Sequence, residues 1–166
     1  MSCPIKPSNS TKILNKHTQK GTVHWFDLEN ESNPEISSQK ARPYMIINNS
    51  SYSKSRVIIS PITGREHCVE THTNKLKYPY NAPIWKKENS FLDKDSVVLL
   101  DQVYTIDKNE LCEEWYMGKV INLQEIDESI MYNYNLFDSL YNIYKKLFDE
   151  LNGKVKFEHI NKYSRK

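Results

Sequence analysis

Apolar residues come in short runs between residues 21 and 106, and a helical period takes over only near the end of the chain. The runs at 22–28, 43–48, 56–62, 82–85 and 96–106 are rich in Val, Ile, Tyr and Trp and predict β-strands. A polar loop, 29–41, separates the first two. A long segment rich in His, Lys, Tyr and Pro, 65–92, carries only the weak run at 82–85. Several strands without intervening helices predict an antiparallel sheet or small barrel.

Helix signals follow. Asp107 with Glu110 is a capping pair that predicts a short helix through Trp115, and Asn122 with Glu125 repeats the signal. Beyond it Ile126, Ile130, Tyr134, Phe137, Tyr141, Tyr144, Phe148 and Leu151 recur at helical spacing until Gly153. One helix over 123–151 is expected, its apolar face serving as core or as a dimer contact. The chain therefore divides into a flexible basic arm (1–20), a mainly β domain closed by a C-terminal helix (21–151), and a basic tail (152–166).

At 166 residues the chain suits one domain with extensions. Its longest wholly apolar stretches, 44–47 and 97–100, are four residues each, which excludes a membrane-crossing helix. The first twenty residues show no apolar core of a signal peptide, so a cytoplasmic location is expected. Cys3, Cys68 and Cys112 are an odd, scattered set that suits free thiols in a reducing compartment. His67, Cys68 and His72 lack a second ligand pair at zinc-like spacing, so no metal and no cofactor is expected.

Charge changes the picture more. The net charge is only +2, yet residues 40–87 hold nine basic residues against Glu66 and Glu70, a net +7. Positive charge concentrated in one half of a domain points to a polyanionic partner. Within it, a symmetric hairpin of 43–48 with 57–62 pairs residues whose numbers sum to 105, which sets Arg42 opposite Thr63. A guanidinium beside a hydroxyl suits a phosphodiester, since arginine offers a planar fork of donors and threonine one short donor. Without a substrate the same pair reads as an exposed arginine and a strand-forming threonine.

These pieces together resemble the MazF/PemK toxins, endoribonucleases of bacterial toxin–antitoxin pairs. The matching residues are Gly21-Thr22-Val23 with Asp27-Leu28, Arg42-Pro43 with Met45-Ile46-Ile47-Asn48, and Val57-Ile58-Ile59 with Pro61-Ile62-Thr63-Gly64-Arg65. Leu92 through Gln102 and Thr105-Ile106-Asp107-Lys108 complete them. The resemblance implies an SH3-like small antiparallel barrel, of the CcdB/MazF kind, acting as a homodimer. It implies metal-independent, sequence-specific cleavage of single-stranded RNA by 2′-hydroxyl attack, leaving a cyclic phosphate and a 5′-hydroxyl. It also implies neutralisation by a cognate acidic antitoxin, and catalytic roles for Arg42 and Thr63.

Some members use a catalytic aspartate where this chain has Asp101, so the resemblance implies a catalytic role for Asp101 beside Arg42 and Thr63; an aspartate in so apolar a run equally suits a salt bridge to Arg42 or a lysine. Members commonly carry an arginine where Tyr104 stands, and the 29–41 loop has no glycine. Lys40, Arg65, Lys75, Lys77, Lys86 and Lys87, interleaved with Tyr78, Tyr80 and Trp85, form a mixture suited to holding phosphates and stacking bases. Such aromatics also serve as core or dimer contacts. Two other classes share the fold: a CcdB-like toxin that binds gyrase, and a nucleic-acid-binding barrel without catalysis.

Overall fold

The computed structural model describes residues 11–28, 41–49, 55–156 and 158. Seven strands carry the domain: β1 (Thr22–Phe26), β2 (Arg42–Ile46), β3 (Arg56–Gly64), β4 (Ala82–Ile84), β5 (Ser96–Val98), β6 (Tyr104–Asp107) and β7 (Tyr116–Lys119). All pair antiparallel, in the order β4-β5-β3-β2-β1-β7 with β6 also on β3, and the sheet curls into a half-barrel. The long strand β3 organises it. Along one edge it pairs with β2; along the other it pairs first with β6 and then, over Ile62–Gly64, with β5.

The hairpin register is the expected one: Tyr44 faces Pro61, Met45 faces Ser60 and Ile46 faces Ile59. Side-chain alternation then serves two cores. Met45 and Ile47 join Val23, Ile62, Val98 and Ile126 in one, while Tyr44 and Ile46 join Phe26, Val57, Ile59 and Ile106 in the other. Gly118 in β7 is needed by close approach, because a Cβ there would lie 2.3 Å from the ring of Phe91.

The predicted strand over 96–106 is two strands. Between Val98 and Tyr104 lie five residues, against only Ser60 and Pro61 on β3. The excess forms a turn pinned by Ser60 Oγ donating to Leu99 O (2.6 Å) and by the Leu99 N–H donating to Pro61 O (2.9 Å). The capping box of Asp107 and Glu110 is present, but it opens two 3₁₀ turns, Lys108–Glu110 and Glu113–Trp115, and β7 follows directly.

Residues 11–20 pack on the domain. Ile13 is buried in the second core, the Thr11 hydroxyl and N–H donate to the Glu114 carboxylate, and the His17 ring stacks 3.7 Å from Tyr116. The expected single helix is two: α1 (Gln124–Asn133), whose Ile126 closes the first core, and α2 (Phe137–Glu150). Asn135 takes the left-handed conformation (φ 50°) between them. Gly153, also left-handed (φ 79°), donates its N–H to Phe148 O and stops α2, as expected.

Candidate active site

Arg42 opens β2 opposite Phe26, half-buried, with Pro43 next to it. Two residues on, Tyr44 is buried with its ring edge-on to Phe26 (6.1 Å) and to Tyr104 (6.2 Å). Burial pushes the Tyr44 hydroxyl above the usual phenol range; the Arg42 charge pulls the other way, and Tyr104 and Asp27 add to the rise. Among the described residues no carboxylate forms an ion pair with Arg42.

Thr63 is half-buried near the end of β3, paired with Val97 of β5. Arg42 and Thr63 each stand two residues past the Tyr44–Pro61 pair, so the two-residue period puts both on the Tyr44 side of the sheet. The β2–β3 ladder itself stops short of them. Proline has no N–H to donate, and both strands carry one at this point, Pro43 and Pro61. Arg42 and Thr63 therefore share a face beyond the last hydrogen-bonded couple, where the two backbones are no longer tied together.

Asp101 sits elsewhere than expected. It is exposed on the turn between β5 and β6 rather than inside an apolar strand, and it forms no ion pair with a described residue. Its charge is felt at Cys68 and Tyr80, both raised mainly by burial and further by Asp101.

The segment after β3 gathers the other expected residues. Arg65 donates from its guanidinium to Asn74 Oδ1 (2.8 Å) and Asn74 O (2.6 Å) and lies 5.3 Å over the Trp85 ring. Lys87 approaches the same ring at 5.9 Å. Tyr78 and Tyr80 stack on each other, 5.2 Å apart and nearly parallel. Lys75, Lys77, Lys86 and Lys87 are exposed, whereas Lys40 lies outside the described residues. A cleft of about 480 Å³ opens beside Arg65, lined also by Glu66, Asn74, Lys94 and Asp95. Lys94 is ion-paired with Glu66, which holds that carboxyl below its usual range.

Asn74 was not singled out in the sequence, although its left-handed backbone (φ 54°) is what brings its oxygens to Arg65. An Asn in a polar turn was its only signal. Among the described residues no three of His, Cys, Asp and Glu gather as a metal-binding group, and no helix is long and apolar enough to cross a membrane.

The family model of PemK-like, MazF-like toxins of type II toxin–antitoxin systems matches residues 19–132. The chain belongs to this family. Arg42, Thr63, Asp101 and the whole 65–92 segment lie within the PemK/MazF match, and α2 lies beyond it. Among solved structures, an endoribonuclease in complex with its cognate antitoxin, from a Mycobacterial species, is 19% identical. It covers 71% of this chain and 95% of that one with a TM-score of 0.50, and so shares the fold. The Mycobacterium tuberculosis toxin MazF-mt6 is 21% identical over 69% of this chain and 96% of that one (TM-score 0.47). MazF from Deinococcus radiodurans is 16% identical over 70% and 96% (TM-score 0.47).

Proposed function

We propose that this PemK/MazF-family toxin is a cytoplasmic endoribonuclease that cuts single-stranded RNA at a short preferred sequence, without a metal, and acts as a homodimer held in check by an acidic antitoxin. The family match over residues 19–132 carries this assignment. The site chemistry supports it: a half-buried guanidinium and a hydroxyl share one face next to a basic segment.

In the proposed reaction the 2′-hydroxyl gives up its proton to solvent water as its oxygen attacks the adjacent phosphorus, the bond to the 5′-oxygen breaks and that oxygen takes a proton from water, and a 2′,3′-cyclic phosphate and a 5′-hydroxyl remain. Negative charge grows on the non-bridging oxygens of the phosphorane. Arg42 donates to those oxygens through its fork, and Thr63 adds one short donor, so both interactions strengthen as charge develops. Arginine stays protonated at ordinary pH, so its main role is charge stabilisation rather than proton removal. Asp101, exposed on the turn between β5 and β6, is assigned a supporting role in substrate contact. Lys40, Arg65, Lys75, Lys77, Lys86 and Lys87 supply the phosphate-binding field, and the stacked Tyr78 and Tyr80 a platform for bases.

The test is digestion of a long single-stranded RNA in excess EDTA, followed by mapping of the product ends. Cyclic phosphate and 5′-hydroxyl ends at a recurrent short sequence are expected. Cleavage that needs magnesium, or 5′-phosphate ends, overturns the mechanism. RNA binding with no cleavage assigns the protein instead to the non-catalytic barrels.

A further inference from the structure

We propose that Tyr104 is a specificity residue of the nuclease site, a stacking platform for a purine base of the RNA close to the scissile phosphate. The inference rests on the nuclease reading and adds to it a residue and a class of base. Tyr104 opens β6 opposite Ile59 of β3, and both Ile59 and Ile106, two residues along β6, are buried in the second core. The two-residue period therefore puts the Tyr104 side chain on the same face as Tyr44, Arg42 and Thr63. β6 runs antiparallel to β3, with Asp107 at Arg56 and Tyr104 at Ile59, so Tyr104 is the end of β6 nearer Thr63. From Ile59 to Thr63 the strand advances about 13 Å. A nucleotide or two of extended strand covers that span.

Neighbouring rings fix the platform. The Tyr104 ring lies 6.2 Å from that of Tyr44, at 85°, and Tyr44 meets Phe26 in the same edge-on manner at 6.1 Å. Phe26 and Tyr44 are buried, and so is Pro61, the residue of β3 that pairs with Tyr44. Tyr104 closes this row at the surface, with 39% of its area exposed. An edge-on pair engages at most one face of each ring, whichever ring supplies the edge, so Tyr104 keeps a free face. Among the described residues no other ring contacts it.

The chemistry selects a base as the occupant. In the nuclease reading Arg42 holds the phosphate, and an uncharged ring beside it offers the neighbouring nucleotide a π-face instead of a second charge. Stacking tolerates every base, and preference follows from overlap: a two-ring purine covers more of a phenol ring than a pyrimidine does. Tyr44 already restricts the Tyr104 rotamer, so little side-chain freedom is lost on binding.

The test uses a labelled RNA strand spanning the mapped cleavage site, with hydrogen in place of the attacking 2′-hydroxyl so that it binds without being cut. Each nucleotide near the cut is made abasic in turn, and Kd is measured for the parent, Tyr104→Leu and Tyr104→Phe. At one purine position the abasic strand should bind the parent about 5–100-fold more weakly, the usual worth of one stacked base. Tyr104→Leu, which still covers Tyr44 and Pro61, should show the same loss with the intact strand and no further loss with that abasic strand. Tyr104→Phe should behave as the parent does. A pyrimidine in place of that purine should cost the parent several-fold and Tyr104→Leu nothing. Equal affinities of the parent and Tyr104→Leu for the intact strand, or losses that simply add, overturn the platform and leave the nuclease reading standing. A parent chain that neither binds nor cuts single-stranded RNA overturns that reading and this inference with it.

Discussion

Arg42 and Thr63 stand two residues beyond the last paired couple of the β2–β3 ladder, on the same face, with a proline next to Arg42 and another two residues before Thr63. Neither side chain is buried in a core cluster. Arg42→Ala and Thr63→Ala should therefore each slow RNA cleavage by about 10²–10³, the usual cost of losing one donor to a developing oxyanion. Thermal midpoints should stay close to the parent's. Product formation under single-turnover conditions and a melting curve on each variant check both halves.

Lys75, Lys77, Lys86 and Lys87 are exposed, and of the four only Lys87 is in an ion pair with a described carboxylate, Glu88 at 3.9 Å. Changing all four to Gln should weaken RNA binding and reduce the salt slope of log K by about 3, at roughly 0.7 per phosphate contact on a single strand. An acidic antitoxin peptide that competes for this face should lose affinity in step. Arg42→Ala should spare most of that peptide's affinity. Filter binding across a salt series, run with and without the peptide, measures all three effects.

Arg65 differs from those lysines, because Asn74 and Trp85 already engage it. Arg65→Ala should lower stability by about 1 kcal/mol, since it removes exposed hydrogen bonds to Asn74 that water can replace and uncovers the Trp85 ring. Urea titrations of this variant and of Lys87→Ala should differ, with the second nearly silent.

His24 sets a pH dependence. It is buried, its Nε2–H donates to His17 O (2.7 Å), and Nδ1 has no partner, so a second proton would be left without an acceptor. Burial first, and then the nearby His17 charge, lower its pKa to about 4, against the opposing hydrogen bond to His17 and the Glu113 charge. The unfolded chain takes up this proton near 6.5 and the folded one only near 4. The stabilisation is thus complete above about pH 6.5 and is lost as pH falls from 6.5 towards 4, by about 3 kcal/mol in all. Urea unfolding at pH 7.5 and 5 should show much of that decline, and His24→Gln should flatten it.

Gly118 leaves no room for a side chain beneath Phe91. Gly118→Ala should cost about 1–3 kcal/mol through overpacking, and Phe91→Leu in the same chain should recover part of it. Thermal melts of the single and double variants decide this.

The hairpin was legible in the sequence because two short β-type runs of equal length, 43–48 and 57–62, flank one connection, so the register followed from symmetry alone. The interruption between β5 and β6 was not, because Val97, Val98, Leu99 and Leu100 form an unbroken apolar run. Its cause lies in Ser60 and Pro61, two residues of a different strand. The break between α1 and α2 escaped for a related reason: the spacing from Ile130 through Tyr134 to Phe137 stays helical across it, and only Asn135 marks it. Residues 11–20 looked like a free arm because their apolar content is small, although Ile13 finds a core. Of the site, Arg42 and Thr63 share the face that the register predicts, although the ladder ends before it pairs them, whereas the surroundings of Asp101 and Arg65 depend on turns whose partners are distant in sequence.

β3 is hydrogen-bonded along both edges, to β2 on one and to β6 and β5 on the other. Its central amides have no local route to solvent, so they exchange with deuterium only when the whole half-barrel opens. Thr63 rides on that strand past the end of the β2 ladder and is held there by its pairing with Val97 of β5, so the hydroxyl keeps its place for as long as β3 and β5 stay paired. A protease that clips a terminal segment would leave the hydroxyl where it is, and one that reaches β3 would meet a chain already unfolded. Loss of activity in the cell would then track the unfolded fraction, as an all-or-none event rather than a gradual decay.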